Sequence, residues 1–274
     1  MIKIILSDID GTFLANDKKT PKLHADALKI VTERGIKFAF VSARMPEGIY
    51  PITDALKMPH TPVISYSGGL VLTEDEKILF DKKIAYDEAK NILAAMKRGW
   101  DDITVSYYTG RRWVVEKIDE RVLEEQRNTG APFEVGNFAE LLSENVLPNK
   151  IFVRCPPPTC ENMEKVLRDE FSALNVVRSA PHLLEVMDKS VSKATGIEVL
   201  LKHYGISLDE AIAFGDNYND TEMLQLIPNS VAMANSPDEI KKIASAVTDS
   251  NENGGIYTYL TKIGVINSTA PNRS

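Results

Sequence analysis

The chain opens on MIKIILS and passes at once into DIDGT. The run 2–6 is almost continuous in isoleucine and leucine, broken only by Lys3. A strand with one wet face alternates polar and apolar residues, so this run predicts a strand covered on both faces, as in a parallel sheet. The same pattern returns in KFAFVSAR, which ends as a strand at Ser42, in PVISYSGG and in AIAFG. Between the first of these lie helical segments. Thr20 and Pro21 read as an N-cap and a first-turn proline. Leu23, Ala27, Ile30 and Val31 then follow helical spacing up to Gly35, and a second helix is predicted over 47–57. Strand, helix, strand, helix, strand in this order predicts a parallel α/β sheet with right-handed crossovers.

The rhythm then changes. LVLTEDEKILF reads as two short strands around an acidic turn, and 87–98 as a helix with Gly99 just past its end. ITVSYYTGRRWVVEK reads as a hairpin turning near Thr109 and Gly110. Helices near 119–128 and 159–171 alternate with the strands KIFVRC, NVVRS and HLLEVM, the mark of a mostly antiparallel α+β unit. From Ser192 the α/β rhythm resumes. The helix KATGIEVLLKHYG precedes the strand AIAFG, the loop DNYND and the helix TEMLQLI. SVAMAN, a helix at 237–243, AVT and a helix at 255–263 follow, and the polar tail NSTAPNRS is expected to lack regular structure. The expected fold is α/β: a Rossmann-like parallel-sheet core from 1–81 and 190–274, with an α+β domain inserted at 82–189.

A formal charge of −7 argues against a general nucleic-acid or membrane-surface binder. No apolar run is long enough to cross a bilayer, and no secretory signal is seen. Cys155 and Cys160, the two cysteines of the chain, lie in CPPPTC with no nearby Cys or His to complete a metal site, and reduced thiols are expected. These features predict a soluble cytoplasmic protein.

Asp8 and Asp10 follow the first strand, at the sheet edge where open α/β folds place ligands. Residues two apart in extended chain point the same way, so both carboxylates face one region, an arrangement favoured by an intervening cation or proton. Magnesium, a hard oxygen-seeking ion, suits the pair. Gly11 allows a sharp turn and Thr12 offers a hydroxyl. A second acidic cluster, Asp216, Asn219 and Asp220, follows the strand AIAFG; helix capping is its plainer reading and is compatible with a metal. Ser42 ends another strand, and Lys193 opens a helix with a compact positive charge suited to an anion.

Taken in order, DIDGT, VSAR, SKATG and GDNYND resemble the four motifs of the haloacid dehalogenase (HAD) superfamily, and the insertion resembles the C2 cap of its Cof-type (type IIB) group. The resemblance implies Asp8 as nucleophile and Asp10 as general acid and base. It implies Mg2+ held by Asp8, Asp216 and the Asp10 main-chain carbonyl. Ser42, Ala43, Lys193 and Asn219 would bind the phosphoryl group, with Lys193 also acting in catalysis and Thr12, Arg44 and Asp220 in support. Two departures stand out. Ser42-Ala43-Arg44 replaces the usual Thr-Gly before arginine but keeps a hydroxyl, and Ser67-Gly68-Gly69 replaces the usual Asn-Gly. Arg111, Arg112, Arg154, His182 and Glu185 are polar candidates for the underside of the cap.

The implied function is a Mg2+-dependent phosphatase forming an aspartyl-phosphate on a small phosphorylated metabolite, whether sugar phosphate, nucleotide, flavin mononucleotide or pyridoxal phosphate. A phosphotransferase such as a phosphohexomutase, or a non-catalytic binding protein on the same scaffold, are the alternatives. No nucleic-acid or membrane partner is expected, and the chain is expected to be a monomer or weak homodimer.

Overall fold

The computed structural model describes residues 1–267; the tail from 268 onward, expected above to lack structure, lies outside them. The buried run at the N-terminus forms β1 (Ile4–Ser7), every residue of which is buried. Helix α1 (Lys22–Glu33) and β2 (Lys37–Val41) follow. Thr20 does not cap α1. Pro21 occupies the cap position, with no side-chain hydrogen bond. After α2 (Tyr50–Ala55) and β3 (Val63–Ser65), the chain makes a tight turn in which Tyr66 and Ser67 are left-handed, with φ of 51° and 53°. It then returns through β4 (Leu70–Leu72) and β5 (Ile78–Asp81).

The inserted stretch carries α3 (Tyr86–Gly99), β6 (Thr104–Thr109), β7 (Arg112–Val115), α4 (Glu120–Thr129) and β8 (Glu134–Val135). It continues with α5 (Phe138–Ser143), β9 (Lys150–Arg154), α6 (Pro157–Glu170), β10 (Leu174–Ala180) and β11 (Leu183–Asp188). Gly99 ends α3 from within, and Trp100 takes the cap position. The short elements β8 and α5 have too few residues for a readable period; Asn137 caps α5 through its side chain.

The last stretch forms α7 (Lys193–Tyr204), β12 (Ala211–Gly215), α8 (Thr221–Leu226), β13 (Asn229–Ala232), α9 (Asp238–Ile243), β14 (Ala246–Val247) and α10 (Gly255–Lys262). Helix α7 has sharp ends because Ser192 and Thr195 form a reciprocal capping box and Gly205 is left-handed.

The strands assemble as two sheets. One has eight strands in the order β14-β13-β12-β1-β2-β3-β4-β5, parallel as far as β3 and antiparallel at β4 and β5. The other has six, β10-β11-β9-β6-β7-β8, antiparallel except where β8 joins β7. Placing β1 between β12 and β2 brings three C-terminal strand ends side by side, at the point where the strand order reverses. Ser7 is level with Phe214 on one side and Phe40 on the other, so the loops after these residues open at one height.

The fold of β3 depends on Gly68. Its φ is 107°, and a Cβ there would stand 1.9 Å from the carbonyl oxygen of Ser192, the cap of α7. Gly68→Ala is expected to lower stability by about 2 kcal/mol or more, read by urea unfolding. An unchanged midpoint would show that the turn can yield.

Candidate active site

Lys193 is the centre of the cluster at this edge. It is the first residue of α7 and is buried, and its Nζ donates to Asp8 Oδ1 at 2.5 Å and to Asp220 Oδ1 at 2.6 Å. Burial by itself would lower its pKa, but the charges of Asp220 and Asp8 and their hydrogen bonds raise it above the ordinary lysine value, so the ammonium form is secured. Asp220 is fully buried and uses its other oxygen, Oδ2, to accept the amides of Asp216 at 2.8 Å and Asn217 at 3.0 Å. It therefore fixes both the lysine and the loop after β12.

Asp216 accepts the Thr12 hydroxyl on Oδ1 at 2.7 Å, tying the two acidic loops together. The close approach needs Gly11. With φ at 89°, any Cβ there would lie 2.3 Å from Asp216 Oδ2. Oxygens of Asp8, Asp216 and Asp220 come within 4.8 Å of one another. Burial, then the nearby acids, raises the Asp8 carboxyl well above its ordinary value despite the Lys193 charge. Burial and the Asp220 charge likewise lift Asp216 to about 6 against the Thr12 hydrogen bond. Carboxylates gathered this closely suit a hard divalent cation, and the Oδ2 atoms of Asp8 and Asp216 have no hydrogen-bond partner among the described residues.

The Asp10 side chain lies outside this cluster. Arg44 forks onto it, Nε to Oδ2 at 2.8 Å and Nη2 to Oδ1 at 2.7 Å, and Lys18 adds a contact at 2.8 Å. Burial would raise its pKa, but the Arg44 and Lys18 charges bring it down to about 2. Ser42 is buried, with its amide on the Ile64 carbonyl and its Oγ accepting the Arg44 amide at 3.2 Å.

A cleft of about 530 Å³ joins Lys193, Ala43, Ser67 and Asn219 to a wall from the second sheet that includes Asn175, Arg178 and Glu185. Most of the polar candidates read from the inserted stretch are engaged elsewhere. Arg111 pairs with Glu47 and Glu76, Arg112 with Glu134, and Arg154 with Glu124 and Glu125, while His182 is exposed. Glu185 alone of these lines the cleft. The sequence carries no signal for Asn175 and Arg178, since an edge strand rich in polar residues does not show which of its faces lines a cleft. Cys155 and Cys160 are buried free thiols, and burial pushes Cys155 up to about 12, which keeps it protonated. Among the described residues no helix is long and apolar enough to cross a membrane.

The Asp216 shift has a thermodynamic sign. With a folded pKa of about 6 against an ordinary 3.8, the folded state holds the extra proton. Its contribution to stability is therefore complete below about pH 4 and lost as the pH rises through about 6. In chelator, the melting temperature of the wild type should fall relative to Asp216→Asn across that window. Parallel pH profiles for the two proteins would refute the shift.

Residues 5–260 match the model of the haloacid dehalogenase-like hydrolase family. A Haemophilus influenzae protein named "Putative phosphatase" is 31% identical over 262 residues, covering 95% of this chain and 97% of its own length. A haloacid dehalogenase-like hydrolase from Bacteroides thetaiotaomicron has a similar solved structure, with a TM-score of 0.86 at 24% identity, covering 96% of this chain and 100% of that one. A second B. thetaiotaomicron structure, described among phosphatases of the haloalkanoate (HAD) superfamily, gives 0.80 at 26% identity over 97% of this chain and 96% of that one. With its motifs gathered at one edge of a largely parallel sheet and residues 5–260 matched, the chain belongs to the haloacid dehalogenase-like hydrolase family.

Proposed function

We propose that this hydrolase is a divalent-metal-dependent phosphatase that releases phosphate from small phosphorylated metabolites through an aspartyl-phosphate on Asp8. The observation that carries the reading is the buried Lys193 ammonium, which lines the cleft and is held against Asp8 beside two further acids. The names of the Haemophilus and Bacteroides relatives point the same way.

Lys193 offsets charge, so that an anionic phosphate and the Asp8 carboxylate can approach each other. Ser42, the Ala43 amide and Asn219 supply further hydrogen bonds to the phosphoryl oxygens. An Asp8 oxygen bonds to phosphorus as the ester P–O bond breaks, and the leaving alkoxide takes a proton from Asp10. Water then attacks phosphorus, Asp10 takes its proton, and Asp8 and inorganic phosphate are freed. With Arg44 and Lys18 on it, Asp10 is in the ionised form that the second half needs. Service as an acid in the first half requires one of these contacts to loosen when substrate enters.

Asp8, Asp216 and the Asp10 main-chain carbonyl would hold the cation, for which the all-oxygen donor set suits Mg2+. When bound, it withdraws charge from the transferring phosphoryl group. The stretch 82–189 serves in this reading as the cap, its sheet closing the cleft and excluding bulk water.

Asp8→Asn should lower turnover of p-nitrophenyl phosphate by about three orders of magnitude or more while far-UV circular dichroism stays unchanged. Substantial turnover in that variant would remove Asp8 as nucleophile. A chelator should stop the wild-type reaction and Mg2+ restore it; a chelator-resistant rate would count against the metal.

A further inference from the structure

We infer that Lys150 is a positioning residue for the phosphoryl-binding loop 42–44, acting from the second sheet on the peptide that orients both Ser42 and Arg44; the inference rests on the phosphatase reading above. Three successive carbonyls of this partly buried loop each have a partner. The Ser42 oxygen accepts the Ser67 amide, and the Arg44 oxygen accepts the Tyr66 amide, both from the neighbouring turn. The Ala43 oxygen between them accepts instead from the Lys150 ammonium, at 2.6 Å.

That one contact reaches both halves of the site. The amide N–H of the same peptide belongs to Arg44 and donates to Ser42 Oγ at 3.2 Å. A cation on the carbonyl end polarises the peptide and strengthens its N–H as a donor. With Ser42 Oγ accepting that bond, its own hydrogen is free to turn toward a phosphoryl oxygen. Beyond the peptide, the Arg44 side chain forks onto Asp10. A shift of the Ala43–Arg44 peptide therefore moves the Ser42 hydroxyl and the partner of Asp10 together.

Lys150 is itself held firmly. It is 6% exposed, pairs with Glu185 Oε2 at 3.1 Å, and lies 5.1 Å from the ring centres of Tyr108 and Phe152 and 5.9 Å from that of Tyr66. A lysine needed only for packing could extend its charge to water, whereas this one keeps it inside against a main-chain oxygen.

The test compares wild type, Lys150→Met and Lys150→Arg with p-nitrophenyl phosphate and Mg2+, using inorganic phosphate as competitor and thermal melts as a check of folding. Lys150→Met should lower kcat/KM and weaken phosphate inhibition by roughly 10- to 100-fold, with partial recovery in Lys150→Arg. A folded Lys150→Met enzyme whose kcat/KM and phosphate Ki stay within about twofold of wild type overturns the inference. So does a loss of kcat/KM with an unaltered phosphate Ki, which would mark a merely structural role. If Lys150→Met does not fold because Glu185 is left unpaired, Lys150→Met/Glu185→Gln carries the same phosphate measurement by calorimetry. A wild type that neither turns over nor binds inorganic phosphate fails the phosphatase reading and this inference with it; turnover with indifferent variants removes Lys150 alone.

Discussion

The ammonium of Lys193, buried between Asp8 and Asp220, is the interaction on which the rest of the site depends. Three carboxylates this close and this buried repel one another, and each has lost solvation that hydrogen bonds, a proton or a cation must replace. Breaking a buried ion pair by removing one partner costs about 3–5 kcal/mol, because the charge left behind has no solvent. The position of Lys193 in turn depends on the Ser192–Thr195 capping box and on the absence of a side chain at Gly68, against which the start of α7 packs. The turn after β3 thereby bears on Asp8 without touching it.

The second sheet is joined to the first by polar groups as well as apolar ones. Tyr66 and Leu70 share one buried apolar cluster with Tyr108, Trp113 and Phe152. Beside it, the fully buried Asn149 donates to Asp81 and to the Lys82 carbonyl while accepting from Lys83 and from the Gly110 amide. One amide side chain thus binds the connecting strand to the hairpin turn. Its neighbour Lys150 carries the connection on to Ala43. Directed hydrogen bonds of this kind fix one seating of the two sheets, which apolar contact alone would leave free to slide.

Much of this was legible in the residues. The uninterrupted runs that became β1, β2 and β12 announced a sheet covered on both faces, and Asp8, Ser42 and Asp216 stand directly after them. The inserted hairpin and its antiparallel partners were read from alternation and turn residues. The exact caps were not: Thr20 lost its role to Pro21, since a proline with extended ψ enters the helix without a side-chain bond. Polar residues of the inserted stretch were the least legible. Arg111, Arg112 and Arg154 found carboxylates elsewhere, while Lys150, which opens the strand KIFVRC, reaches the Ala43 carbonyl.

By itself the sequence determined the elements, their order and the chemistry within reach: acids and a lysine at the ends of buried strands, with glycines where the chain must turn. Periodicity and residue type are local properties and survive without knowledge of neighbours. Only the tertiary structure decided which charges meet. It placed Lys193 on Asp8 and Asp220, gave Asp10 to Arg44 and Lys18, and brought Lys150 onto Ala43 across 107 residues of chain. Pairing of that kind follows from strand order and from how two sheets seat against each other, and no local pattern carries it.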